Sequence, residues 1–177
     1  MKKAILKITF LLFPIMSFAQ RMQDVSILKE INEQVWAVFT DAYATNDAQK
    51  YIGLHSKELI RATGGRWKSV SDLTKYGENA SADFAGRKAA GEKAEIQFRF
   101  LERIADEKSA SERGIYQLAI LNSKGEVQGK YYGKFHVFMR KEVGKWKILI
   151  DYDSDEGRTI NESSYNSAFA IDDYTKY

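Results

Sequence analysis

One feature limits this chain more than any other: its hydrophobic period changes at Gly91. Before that point apolar residues recur at helical spacing. Leu28, Ile31, Val35, Val38, Phe39 and Ala42 share one helical face, with Trp36 and Tyr43 beside it, and predict a long amphipathic helix over residues 24–44. Asp24 is its expected N-cap. Thr45-Asn46-Asp47 ends it and caps a short second helix over 48–55, which leaves His55 as a solvated helix-end residue. A strand over 59–63 stops at Gly64-Gly65. A third helix starts at Ser69 or Ser71 and carries Leu73, Tyr76, Ala80 and Phe84 on one side.

After Gly91 the period is two. Ile96, Phe98, Phe100 and Ile104 alternate with Gln97, Arg99 and Arg103. Strands over 115–121, 131–141 and 145–153 follow, joined by turns containing Gly125 and Gly144, so this half reads as an antiparallel meander. Its last two strands are apolar or aromatic on both faces. One face covers the helices; the C-terminal tail or a second subunit must cover the other. Residues 159–162 read as a capping box before a short helix with Tyr165 and Phe169. The fold class is α+β: about three helices on a curved antiparallel sheet, with a C-terminal helical tail.

The start of the chain is a separate segment. Lys2, Lys3 and Lys7 precede an apolar run over 8–16, and Ser17-Phe18-Ala19 places small residues before Gln20, which is the pattern of a secretory signal peptide over 1–19. That run contains Pro14 and is shorter than the roughly 20 residues a membrane-spanning helix needs, so no membrane anchor is expected. The chain has 27 basic and 24 acidic side chains; without the three leader lysines the mature chain has 24 of each. No basic block is left to neutralise a phosphate backbone, so nucleic acid is not an expected partner. The chain has no cysteine, which excludes disulfides, thiolate metal sites and a cysteine nucleophile. The expectation is a periplasmic or secreted product. It consists of one domain over 20–177, with a core over about 25–154 and a tail over 155–177.

The helix segment Trp36-Ala37-Val38-Phe39 is followed by Ala44-Thr45-Asn46-Asp47, and the hairpins carry Gly129-Lys130-Tyr131 and Gly144-Lys145-Trp146-Lys147-Ile148. With this order of elements the chain resembles the nuclear transport factor 2-like superfamily, in particular its SnoaL-like and ketosteroid-isomerase-like members. The resemblance implies a cone-shaped fold, a pocket between sheet and long helix, and a homodimer across the outer sheet face. It also implies that the isomerase triad is absent. Phe39 stands where those enzymes carry a tyrosine, Arg61 where they carry the aspartate base, and His136 where they carry an acid.

The pocket that the resemblance implies would take a small ligand. Trp36, Phe39, Tyr43, Arg61, Tyr116, Tyr132, His136 and Phe138 are the candidate ligand contacts. His136 either acts in acid/base chemistry or is a hydrogen-bonded core residue. Arg61 either holds an anion or lies on the outer face. Asp151 and Asp153 share a strand face, as a general acid/base pair or as an acidic strand end. With Asp155 and Glu162 they have the composition of a calcium loop. Glycine falls at its seventh position rather than its sixth, however, and a strand precedes it, so no metal and no cofactor are assigned. The expected function is binding of a small, partly apolar molecule. Cofactor-free acid/base catalysis and a dimeric interaction module are the alternatives.

Overall fold

The computed structural model describes residues 24–177 except Trp67. The signal segment expected over 1–19 lies outside the described residues.

The long helix is α1 (Val25–Ile31), a π-helical segment (Asn32–Trp36) and α2 (Ala37–Thr45) in direct succession. Asp24 caps its start by accepting from the Ser26 amide at 2.8 Å. The π-helical segment closes with the Ala37 amide on the Asn32 carbonyl, five residues back. Asn46, in the left-handed region at φ 50, ends α2, and Asp47 caps α3 (Ala48–Ile52). Then come β1 (His55–Thr63), β2 (Ser69–Ser71), α4 (Leu73–Ala90) and β3 (Lys93–Ala105). β4 (Ser109–Leu121), β5 (Val127–Glu142) and β6 (Lys145–Ser154) complete the meander, and α5 (Glu162–Asn166), β7 (Phe169–Ala170) and a 3-10 turn (Tyr174–Lys176) form the tail.

The sheet order is β2-β1-β6-β5-β4-β3-β7. Neighbours run antiparallel except β1 and β6, which are parallel. The fold is the expected α+β one. Ile31, Val35, Trp36 and Phe39 of the long helix pack on the concave sheet face, against a core that includes Phe100, Phe135, Val137 and Ile148. Trp36 alone meets Phe39, Phe98, Phe100 and Phe135 with ring centroids 4.6–6.1 Å apart, and each such pair contributes about 0.5–1.5 kcal/mol beyond area burial.

Several expectations need correction. Ser69 and Ser71 lie in β2, and the third helix starts at Leu73 behind the cap Asp72. Asn161, with Ser164 rather than Glu162, makes the tail's capping box, and Phe169 is in a strand. Strict alternation also fails twice. Pairing shifts between Phe100 and Glu102, so Leu101 is a bulge; beyond it Arg103 is 2% exposed and Ile104 56%. A second shift on β6 falls between Ile148 and Ile150, and it places Trp146, Ile148, Asp151 and Asp153 on one face.

The tail covers part of the convex face. Tyr165 of α5 sits 6.2 Å from Tyr132 and under the Arg99 guanidinium, and Ile115 and Ala119 of β4 are buried on this side. The tail then rounds the β3 edge through β7 and returns Tyr177 to Phe100 and Arg103. It leaves Phe138 (41% exposed), Tyr152 (41%) and Ile60 (52%) uncovered.

Candidate functional site

A cavity of about 210 Å³ lies between the long helix and the concave face. Trp36, Phe39 and Tyr43 reach it from the helix, and Phe98, Tyr116, Leu118 and Phe135 from the sheet. Phe39 and Tyr43 stack four residues apart, which the helical turn makes possible. Tyr51 of α3 and Tyr76 of α4 close one side, and Arg61, Asp151 and Asp153 supply its charges.

Register explains the charged cluster. Arg61 of β1 stands opposite Asp151 of β6, and Thr63 opposite Asp153. The β6 bulge turns both carboxylates inward. Arg61 Nη2 donates to Asp153 Oδ1 at 2.6 Å, and its Nε lies 3.5 Å from Asp151 Oδ2. Nη1 donates to the Ala62 and Asp151 carbonyls. Tyr116 Oη donates to Asp153 Oδ2 at 3.3 Å. Tyr51 and Tyr76 share a hydroxyl–hydroxyl hydrogen bond. His55 donates from Nδ1 to the Tyr51 carbonyl at 3.0 Å and aims Nε2 at Asp151 Oδ2, 3.9 Å away. Among the described residues, His55 Nε2 and Arg61 Nε are buried with no hydrogen-bond partner.

The two carboxyls are driven apart. Burial pushes Asp151 up, but the Arg61 guanidinium and His55 outweigh it and hold the carboxyl below its ordinary value. Burial raises Asp153; Arg61 offsets this only in part, and the Asp151 charge adds to it. Burial also raises Tyr43, Tyr51, Tyr76 and Tyr116, which keeps all four hydroxyls protonated as donors at neutral pH. A carboxyl pair split in this way, one ionised and one able to take a proton, is the arrangement that acid/base chemistry uses.

Trp36, Phe39, Tyr43, Arg61, Tyr116, Asp151 and Asp153 therefore meet at one cavity. Tyr132, His136 and Phe138 do not. On β5 the odd-numbered Phe135 and Val137 face the cone, so the even-numbered side chains face outward, as the two-residue period of a strand requires. His136 instead meets Ser111 Oγ at 3.0 Å and packs against Phe138 with the rings tilted by 38°. The resemblance placed His136 in the pocket, and this is corrected. His55 was expected in solvent and is buried, because the strand begins at His55 and α3 is a single turn. Tyr51 and Tyr76 were missed as site residues. Their only sequence signal is a hydroxyl on the apolar side of a helix.

No family model and no curated protein matches the sequence. Solved structures do match. An NTF-2-like protein of unknown function from Shewanella oneidensis is similar with a TM-score of 0.58 at 15% identity, over 72% of this chain and 98% of that one. A protein of unknown function with a cystatin-like fold from Nostoc punctiforme gives 0.52 at 14%, over 80% and 96%. A ketosteroid isomerase-like protein from Erwinia carotovora atroseptica gives 0.50 at 15%, over 72% and 94%. At these identities the likeness is one of architecture. The chain has the fold of the nuclear transport factor 2-like superfamily.

Proposed function

We propose that this protein is exported and binds a small, partly aromatic molecule in the cone, with Asp153 meeting a polar group of the ligand. One observation carries the reading: a cavity of about 210 Å³, walled by rings, ends in an Arg61–Asp151–Asp153 cluster in which Asp151 is buried and the other two are partly buried. Interiors are normally close-packed, and a hollow beside buried charges costs stability that a scaffold alone has no reason to give up. A cavity of about 150 Å³ already accepts benzene, so the space suits one substituted ring. Export is supported by the lysine-rich start, the apolar run and the small residues before Gln20.

The test is calorimetric titration with phenol, benzyl alcohol and 3-phenylpropan-1-ol. Leu118→Trp fills the cavity. Binding by the parent protein and loss of binding in this variant, with an intact unfolding transition, is the expected result; equal binding by both would overturn the reading.

The opposite shifts of Asp151 and Asp153 favour a second reading, an acid/base enzyme in which Asp153 moves the proton and Tyr116 steadies it. Asp153→Asn would then abolish turnover while ligand still binds. The uncovered convex patch supports a homodimer. Phe138 and Ile60 both neighbour Ile150, and Tyr152 neighbours His136. A stable pair would need to bury upwards of roughly 1,000 Å². Light scattering should give a dimer for the parent protein and a monomer for Phe138→Glu.

A further inference from the structure

We infer that the ligand of the cone carries an anionic group, received at the cone's mouth by Lys130 and Arg158. The inference rests on reading the cone as a binding site. A second cavity of about 430 Å³ opens beyond Tyr116 and Asp153. Both residues line the cone as well, so the two spaces meet there. Tyr131, Tyr132 and Ile160 make the vestibule partly apolar.

Its charges do not cancel. Asp153 shares Arg61 with Asp151, at 2.6 and 3.5 Å, and Asp155 is held by Arg66 at 2.9 Å, so with Lys130 and Arg158 included this end of the cone carries a net positive charge. Arg158 reaches the same space, as does Lys130 from the outward-facing side of β5 that it shares with Tyr132, and among the described residues neither makes an ion pair or a side-chain hydrogen bond. Two unpaired cations beside low-dielectric walls attract an anion and repel a cation. The backbone keeps the wall in place. Glu156 and Arg158 adopt φ of 44 and 72, and only glycine at 64 and 65 lets the β1–β2 loop lie against Tyr152, Ser154 and Asp155. A ring seated in the cone and an anion seated in the vestibule belong to one molecule, an aromatic acid with a short linker. Arginine and lysine together suit a carboxylate.

The probes are 3-phenylpropanoate, 3-phenylpropan-1-ol and 3-phenylpropylamine, titrated into the protein at low and high salt. The acid should bind about tenfold or more tightly than the alcohol at low salt, as a charge-assisted hydrogen bond provides, and the preference should shrink with salt. The double variant Lys130→Ala/Arg158→Ala should bring the acid-to-alcohol ratio near one. Lys57→Ala, which removes the same charge from the start of β1, should leave the ratio as it was. Equal binding of acid and alcohol, tightest binding of the amine, or a preference that survives in the double variant would overturn the vestibule assignment while leaving the cone reading intact. Binding by none of the three would overturn the cone reading and this inference with it.

Discussion

Two arginine–carboxylate clusters, one buried and one partly buried, lie on the same face of the same sheet, and they are built differently. Around Arg103 and Glu112 nothing is left open. Arg103 donates from Nε to Glu112 Oε1 at 2.9 Å, to the Ile171 carbonyl and to Asn32, while Trp36 donates to Glu112 Oε2 at 2.6 Å. The π-helical segment begins at Asn32 and ends at Trp36, so the widened turn delivers both partners to one ion pair. Around Arg61 the geometry is incomplete. His55 Nε2 and Arg61 Nε find no hydrogen-bond partner among the described residues, and the cluster borders a cavity. A closed network specifies the fold, whereas an open one keeps capacity for a ligand.

The largest effect should come from breaking the closed cluster. Glu112→Leu leaves the Arg103 charge buried and unpaired and should cost about 3–5 kcal/mol, read as a fall in urea midpoint. Burial raises the Glu112 carboxyl despite Arg103 and Trp36, so the pair does not fully recover its desolvation. Arg103→Met/Glu112→Leu should therefore recover more than half of the loss. A double variant no better than the single one would show that the pair itself holds the fold.

Next come the two aspartates, with opposite signs. Asp151 is depressed in the folded state. Its contribution is full above the unfolded value near 3.8 and is lost as pH falls through the folded pKa. Asp151→Asn should cost about 3 kcal/mol at pH 7 and flatten the acid limb of the stability curve. Asp153 is raised. Ionising it costs stability at pH above its folded pKa, and that cost vanishes below the unfolded value. Asp153→Asn should therefore stabilise by about 0.5–2 kcal/mol at pH 7, the exchange expected of a functional group. Destabilisation by both variants would make the open cluster as structural as the closed one.

How much of this was legible in sequence depends on the bulges. Asp24, Asp47 and the Val143–Gly144 turn with φ of 47 and 76 follow from local chemistry, whereas the start of α4 behind Asp72 and the Asn161–Ser164 box of the tail lie a few residues from their expected places. The face assignments do not follow from local chemistry. Leu101 and the Leu149 region are ordinary strand residues with no glycine to announce a bulge, yet each reverses the inside–outside phase of everything beyond it. Arg103 was expected outside for that reason. Asp151 and Asp153 could be placed on one face but not inside the cone. Arg61 and its partners come from strands 90 residues apart in number, and only the parallel pairing of β1 with β6 unites them.

The smallest expected effect separates the two histidines, and with them the two sheet faces. His136 is on the convex side, bonded to Ser111, with Arg113 and Glu102 near it and Tyr152 opposite. Burial and the Arg113 charge hold its imidazole below the ordinary value, so folding favours the neutral ring. The contribution is therefore present above the unfolded value near 6.5 and lost as pH falls through the folded one. The site is partly open to solvent, which screens the effect. His136→Ala should change stability by about 0.5 kcal/mol, remove a shallow slope below pH 6.5, and leave cone affinity for 3-phenylpropan-1-ol where it was. His55→Ala removes a ring buried against Tyr51, Tyr76 and Asp151, so it should lower both stability and that affinity. Loss of cone binding in His136→Ala without unfolding would mean that the convex face takes part in binding, and the division between a closed scaffold and an open cone would fail.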